Sequence, residues 1–250
     1  IPMNDCADST EILGIMIDRL DMKQAIKRIK NFMNNNNNRA IILTPNPEMI
    51  VMAQEDKQLA RIINRADLKI PDGAGVVLAS RLSKHILRER VAGYDLMTEL
   101  MNLAVKEEYL LYLLGSKPDV IEKACDQITK NHPGIKIAGF HHGYLDRKLQ
   151  QEVIRDINRI SPDILFVGMG VPLQEKFLDQ VVPQLDVKVA MAVGGSFDVL
   201  AGKIKRAPVW LQRLNLEWLY RLLQEPNRLG RMMALPRFVW LVLMDRIFGN

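Results

Sequence analysis

Asp72 stands between Pro71 and Gly73, where an apolar run gives way to small residues. At a strand end of that kind a carboxylate faces the cleft and can take a proton from a substrate hydroxyl. The same residue can instead cap the helical stretch that starts near Gly75, as aspartate often does, and spacing alone leaves both roles open. Arg90 and Lys117 are cations suited to a phosphate or to a plain solvated face. Gln174, close after Gly170, can bond a hydroxyl-rich ligand or face water. His141 and His142 are adjacent, a spacing that rarely aims two rings at one metal. Several signatures are missing: the G-x-x-x-x-G-K-[ST] phosphate loop, G-x-G-x-x-G and G-x-S-x-G, since Gly168-Met169-Gly170 lacks the third glycine. Asp-x-Asp is also absent. Hard cations that hold a diphosphate want paired carboxylates, so metal-independent chemistry is expected, with no metal ligands and no cofactor.

These residues need a frame, and the chain supplies one by alternating short apolar runs with longer amphipathic stretches. Strands are expected at 12–17, 40–43, 68–70, 109–114, 135–140, 164–167 and 187–193, and helices at 22–33, 47–66, 93–106, 118–131, 149–160 and 172–184. Runs such as Leu110 to Leu114 are apolar on successive residues, as in strands buried on both faces. The alternation predicts an α/β fold: a mostly parallel, Rossmann-like sheet with helices on both faces. Ligands of such folds sit at the carboxyl ends of the strands. The unusual residues fall there: Thr44-Pro45-Asn46-Pro47, Pro71-Asp72-Gly73, Gly115-Ser116-Lys117, His141-His142-Gly143-Tyr144, Gly168-Met169-Gly170 and Gly194-Gly195-Ser196-Phe197-Asp198. Glycine lets a ligand approach the backbone, and helices that start just afterwards offer free N–H groups to an anion. Asn34 to Asn38 read as a solvated loop.

Of 250 residues, 48% are hydrophobic and 25% charged, the balance of a folded protein. Two distant cysteines, Cys6 and Cys125, exclude a disulfide scaffold. The longest apolar run, Phe238 to Met244, is far short of the ~20 residues a spanning helix needs. Residues 1–5 lack the basic-then-apolar pattern of a signal peptide, so a cytosolic location is expected. The net charge of +5 is unevenly spread. Residues 203–250 carry nine basic and three acidic side chains, together with all three tryptophans, which leaves the first 202 residues near neutral. The expected division is therefore a catalytic domain, 1–202, and a basic helical appendage, 203–250. In the appendage Leu211, Leu214, Trp218 and Leu222 follow helical spacing, while Arg213, Glu217 and Arg221 lie on another face in i,i+4 pairs. Pro226 and Pro236 are expected to break it, leaving a last helix over 237–248. Basic residues beside Trp and Leu suit an anionic membrane surface, or the apolar faces pack on the main domain or a partner subunit.

Taken together, Leu43-Thr44-Pro45-Asn46-Pro47-Glu48, Pro71-Asp72-Gly73-Ala74-Gly75, Arg88-Glu89-Arg90-Val91-Ala92-Gly93-Tyr94-Asp95, Gly143-Tyr144, Gly168-Met169-Gly170-Val171-Pro172-Leu173-Gln174-Glu175 and the run from Gly194 to Gly202 resemble the bacterial TagA/WecG/CpsF glycosyltransferases. The resemblance extends through Arg206-Ala207-Pro208, Leu216 to Leu222 and Glu225-Pro226. It implies an inverting transfer from a UDP-sugar to a polyprenyl-diphosphate-linked sugar at the cytoplasmic face of the membrane, by a peripheral protein. By the same resemblance Asp72 is the base, and Thr44, Asn46 and Gln174 hold donor sugar or acceptor. Arg90 contacts the diphosphate, Gly143 and Tyr144 the uracil, and Asp198 the ribose or base. Gly168, Gly170, Gly195 and Lys117 complete the expected UDP site, and Arg213, Arg221 and Arg228 of the appendage reach toward the diphosphates. The expected donor is UDP-N-acetylmannosamine and the expected acceptor undecaprenyl-diphosphate-linked N-acetylglucosamine, for wall teichoic acid. Mannosaminuronic acid or glucose donors are the rivals within the family. A nucleic-acid-binding protein using the tail to contact phosphates and stack bases is the rival from another class, and a catalytically dead nucleotide-binding scaffold is a third. The reading chosen involves no nucleic acid, and off the membrane the apolar tail favours self-association.

Overall fold

The computed structural model describes residues 9–35, 39–82 and 85–248. The expectations for residues 1–5, Cys6 and Asn36 to Asn38 lie outside the described residues. The first described element is not one strand over 12–17 but an antiparallel hairpin, β1 (Ser9–Ile12) and β2 (Ile15–Asp18). Leu13 and Gly14 turn it at φ of 51° and 77°. Two left-handed residues in a row are what a two-residue turn of primed type demands, and leucine in the first position hid the turn from the sequence.

After α1 (Met22–Asn34), which takes Asn34 out of the expected loop, come β3 (Ala40–Leu43), α2 (Pro47–Glu55) and α3 (Lys57–Arg65). The single helix expected over 47–66 is thus two. Asp56 is extended between them, and its side chain accepts hydrogen bonds from the Gln58 and Leu59 N–H groups. An aspartate that caps a new helix competes with continuation of the old one. β4 (Leu68–Lys69), α4 (Ala74–Ser80), α5 (Gly93–Glu107), β5 (Leu110–Gly115), α6 (Pro118–Asn131), β6 (Lys136–His141), α7 (Arg147–Ile160), β7 (Ile164–Gly168), α8 (Leu173–Val181), β8 (Val189–Ala192) and α9 (Ser196–Leu200) complete the main body. The helix expected over 172–184 ends in a 3₁₀ turn at Val182–Gln184.

Six strands form one sheet in the order β4-β3-β8-β7-β5-β6, every neighbouring pair parallel. β7 and β8 are wholly buried, as their unbroken apolar runs require, whereas β6 at the edge alternates exposed and half-buried residues. One face packs on α2, α3, α7 and α8 through Ile50, Ile63, Ile157 and Leu178. The other packs on α1, α5, α6 and α9 through Ile29, Leu100, Ile128 and Phe197. This is the Rossmann-like, doubly wound arrangement expected. Cys125 belongs to the second face as a free, buried thiol, which desolvation pushes up to about 12, so it is inert.

The appendage consists of α10 (Val209–Arg213), α11 (Glu217–Gln224), a 3₁₀ turn at Pro226–Arg228, α12 (Leu229–Met232) and α13 (Ala234–Phe248). Pro236 does not break the chain. It lies in the first turn of α13, where a missing N–H costs no helical hydrogen bond. Along α13, Phe238 is buried against α4 and the core, while Trp240, Leu243, Ile247 and Phe248 are exposed. The tail therefore packs on the main domain with one side and leaves apolar residues open on the other.

Candidate active site

The carboxyl ends of the strands and the inner side of the appendage enclose a cleft of about 1050 Å³. Thr44, Asn46, Asp72, Arg90, Lys117, Gly143, Tyr144, Gly168, Gly170, Gln174, Gly195, Asp198, Arg221 and Arg228 all line it. Arg213 does not: it is exposed at the end of α10. Asn215, at a φ of 60°, separates α10 from α11, so the expected i,i+4 series of Arg213, Glu217 and Arg221 does not form. Glu217 pairs instead with Arg90 and Arg206, and Arg221 with Glu225.

Backbone packing of glycines brings the loops this close. A Cβ on Gly115 would fall 2.3 Å from the Gly168 carbonyl oxygen, and one on Gly168 would strike Phe197 and the Gly194 carbonyl. No side chain fits where three βα loops touch through their backbones. The Gly143 N–H donates to the Ser116 carbonyl and ties in the fourth loop.

Asp72 is not a helix cap. The N-cap of α4 is Gly73, with no side-chain hydrogen bond. The Asp72 side chain is a quarter exposed to the cleft, with Oδ1 3.6 Å from Arg90 Nε, and the Gly93 N–H at the start of α5 donates to it. Gly93 can approach because it has no Cβ, whose place would lie 3.5 Å from Asp72 Oδ2 and 3.2 Å from Thr44 Cγ2. Burial pushes the carboxyl above its ordinary range, and Glu217 adds to the rise, against the opposing pull of Arg90 and the Gly93 N–H. Burial alone would lower Arg90, but Asp72 and Glu217 outweigh it and hold the guanidinium raised, hence firmly charged. A half-buried carboxylate with a raised pKa beside a fixed cation is a site able to accept a proton next to developing negative charge.

Two expected ligand-holding groups have structural partners. Asn46 Oδ1 accepts from the Met49 N–H as the N-cap of α2. Gln174 is 2% exposed and does not face water; its Nε2 donates to Glu175 Oε1 and its Oε1 accepts from the Gly194 N–H. It fixes the loop that carries Gly195. Tyr144 is well exposed at the rim near His142, and Asp198 pairs with Lys203 at 3.6 Å.

Sequence reasoning missed Arg231, Glu217, Arg206 and Tyr94 as cleft residues. Arg221, Arg228 and Arg231 approach from the appendage against two carboxylates, Glu225 and Glu48. Arg228 Nε is buried without a hydrogen-bond partner, and desolvation with Arg221 and Arg231 alongside pulls this guanidinium below its usual value. Arg221 Nη2 lies against the bare Cα of Gly195, 2.3 Å from where a Cβ would be. Three cations against two carboxylates, one of the cations with an unpaired donor, give this wall of the cleft a net positive charge, which suits an anion. The +6 of the tail was the available signal, but it gave no direction. Among the described residues, no group of three or more His, Cys, Asp or Glu side chains is gathered to hold a metal.

A parallel α/β sheet whose carboxyl edge sets a carboxylate between cations and open glycine loops is an arrangement suited to group transfer on an anionic substrate. The chain belongs to the glycosyl transferase WecG/TagA/CpsF family, which it matches over residues 10–250. It is 42% identical over 207 residues to the N-acetylglucosaminyldiphosphoundecaprenol N-acetyl-beta-D-mannosaminyltransferase of Bacillus subtilis (strain 168), covering 82% of this chain and 80% of that one. It is 38% identical over 231 residues to the enzyme of the same name from Staphylococcus aureus (strain MW2), covering 92% and 90%.

Proposed function

We propose that this enzyme moves N-acetylmannosamine from UDP-N-acetylmannosamine to N-acetylglucosaminyl-diphosphoundecaprenol, with inversion, at the cytoplasmic face of the membrane and without a metal or other cofactor. The transfer is an early step in synthesis of the wall teichoic acid linkage unit. The names of its relatives support the sugar and the acceptor. The observation that carries the chemistry is Asp72, basic and open to the cleft, 3.6 Å from Arg90. Its carboxylate takes the proton from the acceptor hydroxyl as that oxygen bonds to the anomeric carbon. The bond from that carbon to the diphosphate breaks, and its electron pair leaves with UDP. Arg90, Arg221, Arg228 and Arg231 stand where they can stabilise that charge. In this reading Gly143 and Tyr144 meet the uracil, Asp198 the ribose and Lys117 a phosphate.

The test is to incubate the purified chain with a synthetic lipid-diphosphate N-acetylglucosamine and a panel of UDP-sugars, with and without chelator. Transfer from UDP-N-acetylmannosamine alone, undiminished by chelator, is the expected result. Preference for a glucose or uronic donor would overturn the donor, and loss of turnover in chelator the metal-free mechanism.

A further inference from the structure

We propose that Glu217, carried by the appendage, is a positioning residue for the base: it holds Arg90 at a distance from Asp72, so that the carboxylate keeps its basicity. The inference rests on Asp72 as the base.

Arg90 stands between two carboxylates and is oriented by only one. Its Nη2 donates to Glu217 Oε2 at 2.8 Å, whereas its Nε is 3.6 Å from Asp72 Oδ1, outside hydrogen-bond range, and is buried without a hydrogen-bond partner. Glu217 is itself fixed. Its Oε1 is 3.5 Å from Arg206 Nε, and Arg206 makes a double contact with Asp95, at 2.7 and 2.8 Å, with its guanidinium 4.7 Å above the Tyr94 ring. Asp95 lies in the first turn of α5, the helix whose Gly93 N–H reaches Asp72. The charges alternate along a closed path: Asp72, Arg90, Glu217, Arg206, Asp95 and back through α5. Glu217, on α11, and Arg206 both come from the appendage, and Glu217 is the one that contacts Arg90.

The consequence is electrostatic. The charged groups that face Asp72 are Arg90, from the loop before α5, and Glu217, from α11; Arg206 and Asp95 stand further along the path. A guanidinium free to close on Asp72 in a full pair would stabilise the carboxylate and weaken it as a base. Glu217 prevents this by holding the guanidinium's other edge, and its own charge disfavours the Asp72 anion. Docking of the appendage therefore sets the strength of a base that lies in the main domain.

The experiment compares the full chain with Glu217→Gln, which keeps the shape and removes the charge, and Glu217→Asp, which restores the charge at shorter reach. Two readouts are used: the pH dependence of kcat/KM for the lipid-diphosphate acceptor, and the titration of Asp72 by NMR in protein labelled at aspartate Cγ, assigned with Asp72→Asn. In Glu217→Gln the Asp72 carboxyl is expected to titrate at lower pH. The acid limb of the rate profile moves the same way, the plateau kcat falls about tenfold as the base weakens, and the KM for UDP-sugar stays unchanged. Glu217→Asp is expected to bring the limb back part of the way. An unmoved Asp72 titration, or a rise in KM with the limb in place, would overturn the proposal and leave Glu217 a docking contact only. Should the unmodified chain transfer no sugar, the proposed function fails, while the Asp72 titration still decides the role of Glu217.

Discussion

In the proposed mechanism a single carboxyl, Asp72, takes the proton, and its environment gives the direction of the pH response. The Asp72 pKa is raised chiefly by burial, so the basic form is lost as pH falls through that raised value and transfer falls with it. Asp72→Asn is expected to reduce turnover by about 10² to 10⁴, with UDP affinity by calorimetry unchanged. Glu175 makes a separate prediction. It is 0% exposed, its Oε2 has no partner, and desolvation pushes its carboxyl up to about 7 from an ordinary 4.5. The folded state thus holds a proton that the unfolded state releases. The stability linked to it is full below about pH 4.5 and is lost as pH rises through about 7, on the order of 3 kcal/mol in total at 1.36 kcal/mol per unit. Glu175→Gln should flatten the fall in Tm between pH 5 and pH 8; an unchanged slope would show that another group titrates there.

The elements were legible in the sequence wherever hydrophobic period decides the outcome. All six strands of the parallel sheet lie where apolar runs predict them, and the glycine-rich loops do converge at their carboxyl ends. The features missed were set by local turn chemistry or by distant partners. The Leu13-Gly14 turn, the cap at Asp56 and the first-turn Pro236 depend on backbone angles that periodicity does not register. Glu217 and Arg231 look like ordinary charges of an amphipathic tail; only folding sets them against Arg90 and Glu48. Gln174, which reads as a ligand contact and lines the cleft, also holds the Gly194 backbone, a partner that its sequence position does not reveal. At this scale α13 gives a paired prediction. Phe238→Ala removes a buried ring and should cost about 3–5 kcal/mol in chemical denaturation. Trp240→Ala, 59% exposed on the same helix, should leave stability within about 0.5 kcal/mol. Equal losses would mean that the outer face of α13 is also covered by protein.

For the whole molecule, the structure changes what the net charge means. Of the nine basic residues in the tail, Lys203, Lys205, Arg206, Arg221, Arg228 and Arg231 line the cleft, and Arg237 pairs with Glu55 of α2. Only Arg213 and Arg246 remain outside both groups, so most of the tail's basic residues face the cleft rather than the outer surface. No helix among the described residues is long and apolar enough to cross a membrane. Outward, the appendage exposes Trp240, Leu243, Ile247 and Phe248 beside Asp245 and Arg246, with Leu78 exposed on neighbouring α4. Attachment to vesicles should then follow apolar burial, which salt does not screen, more than charge, whose reach contracts from about 10 Å at 0.1 M to about 3 Å at 1 M. Flotation with anionic vesicles is expected to persist from low salt to about 1 M and to be lost in a Trp240→Ser, Ile247→Ser double variant. Binding that disappears with salt while the double variant floats normally would return the tail's charge to the membrane and overturn this division of labour.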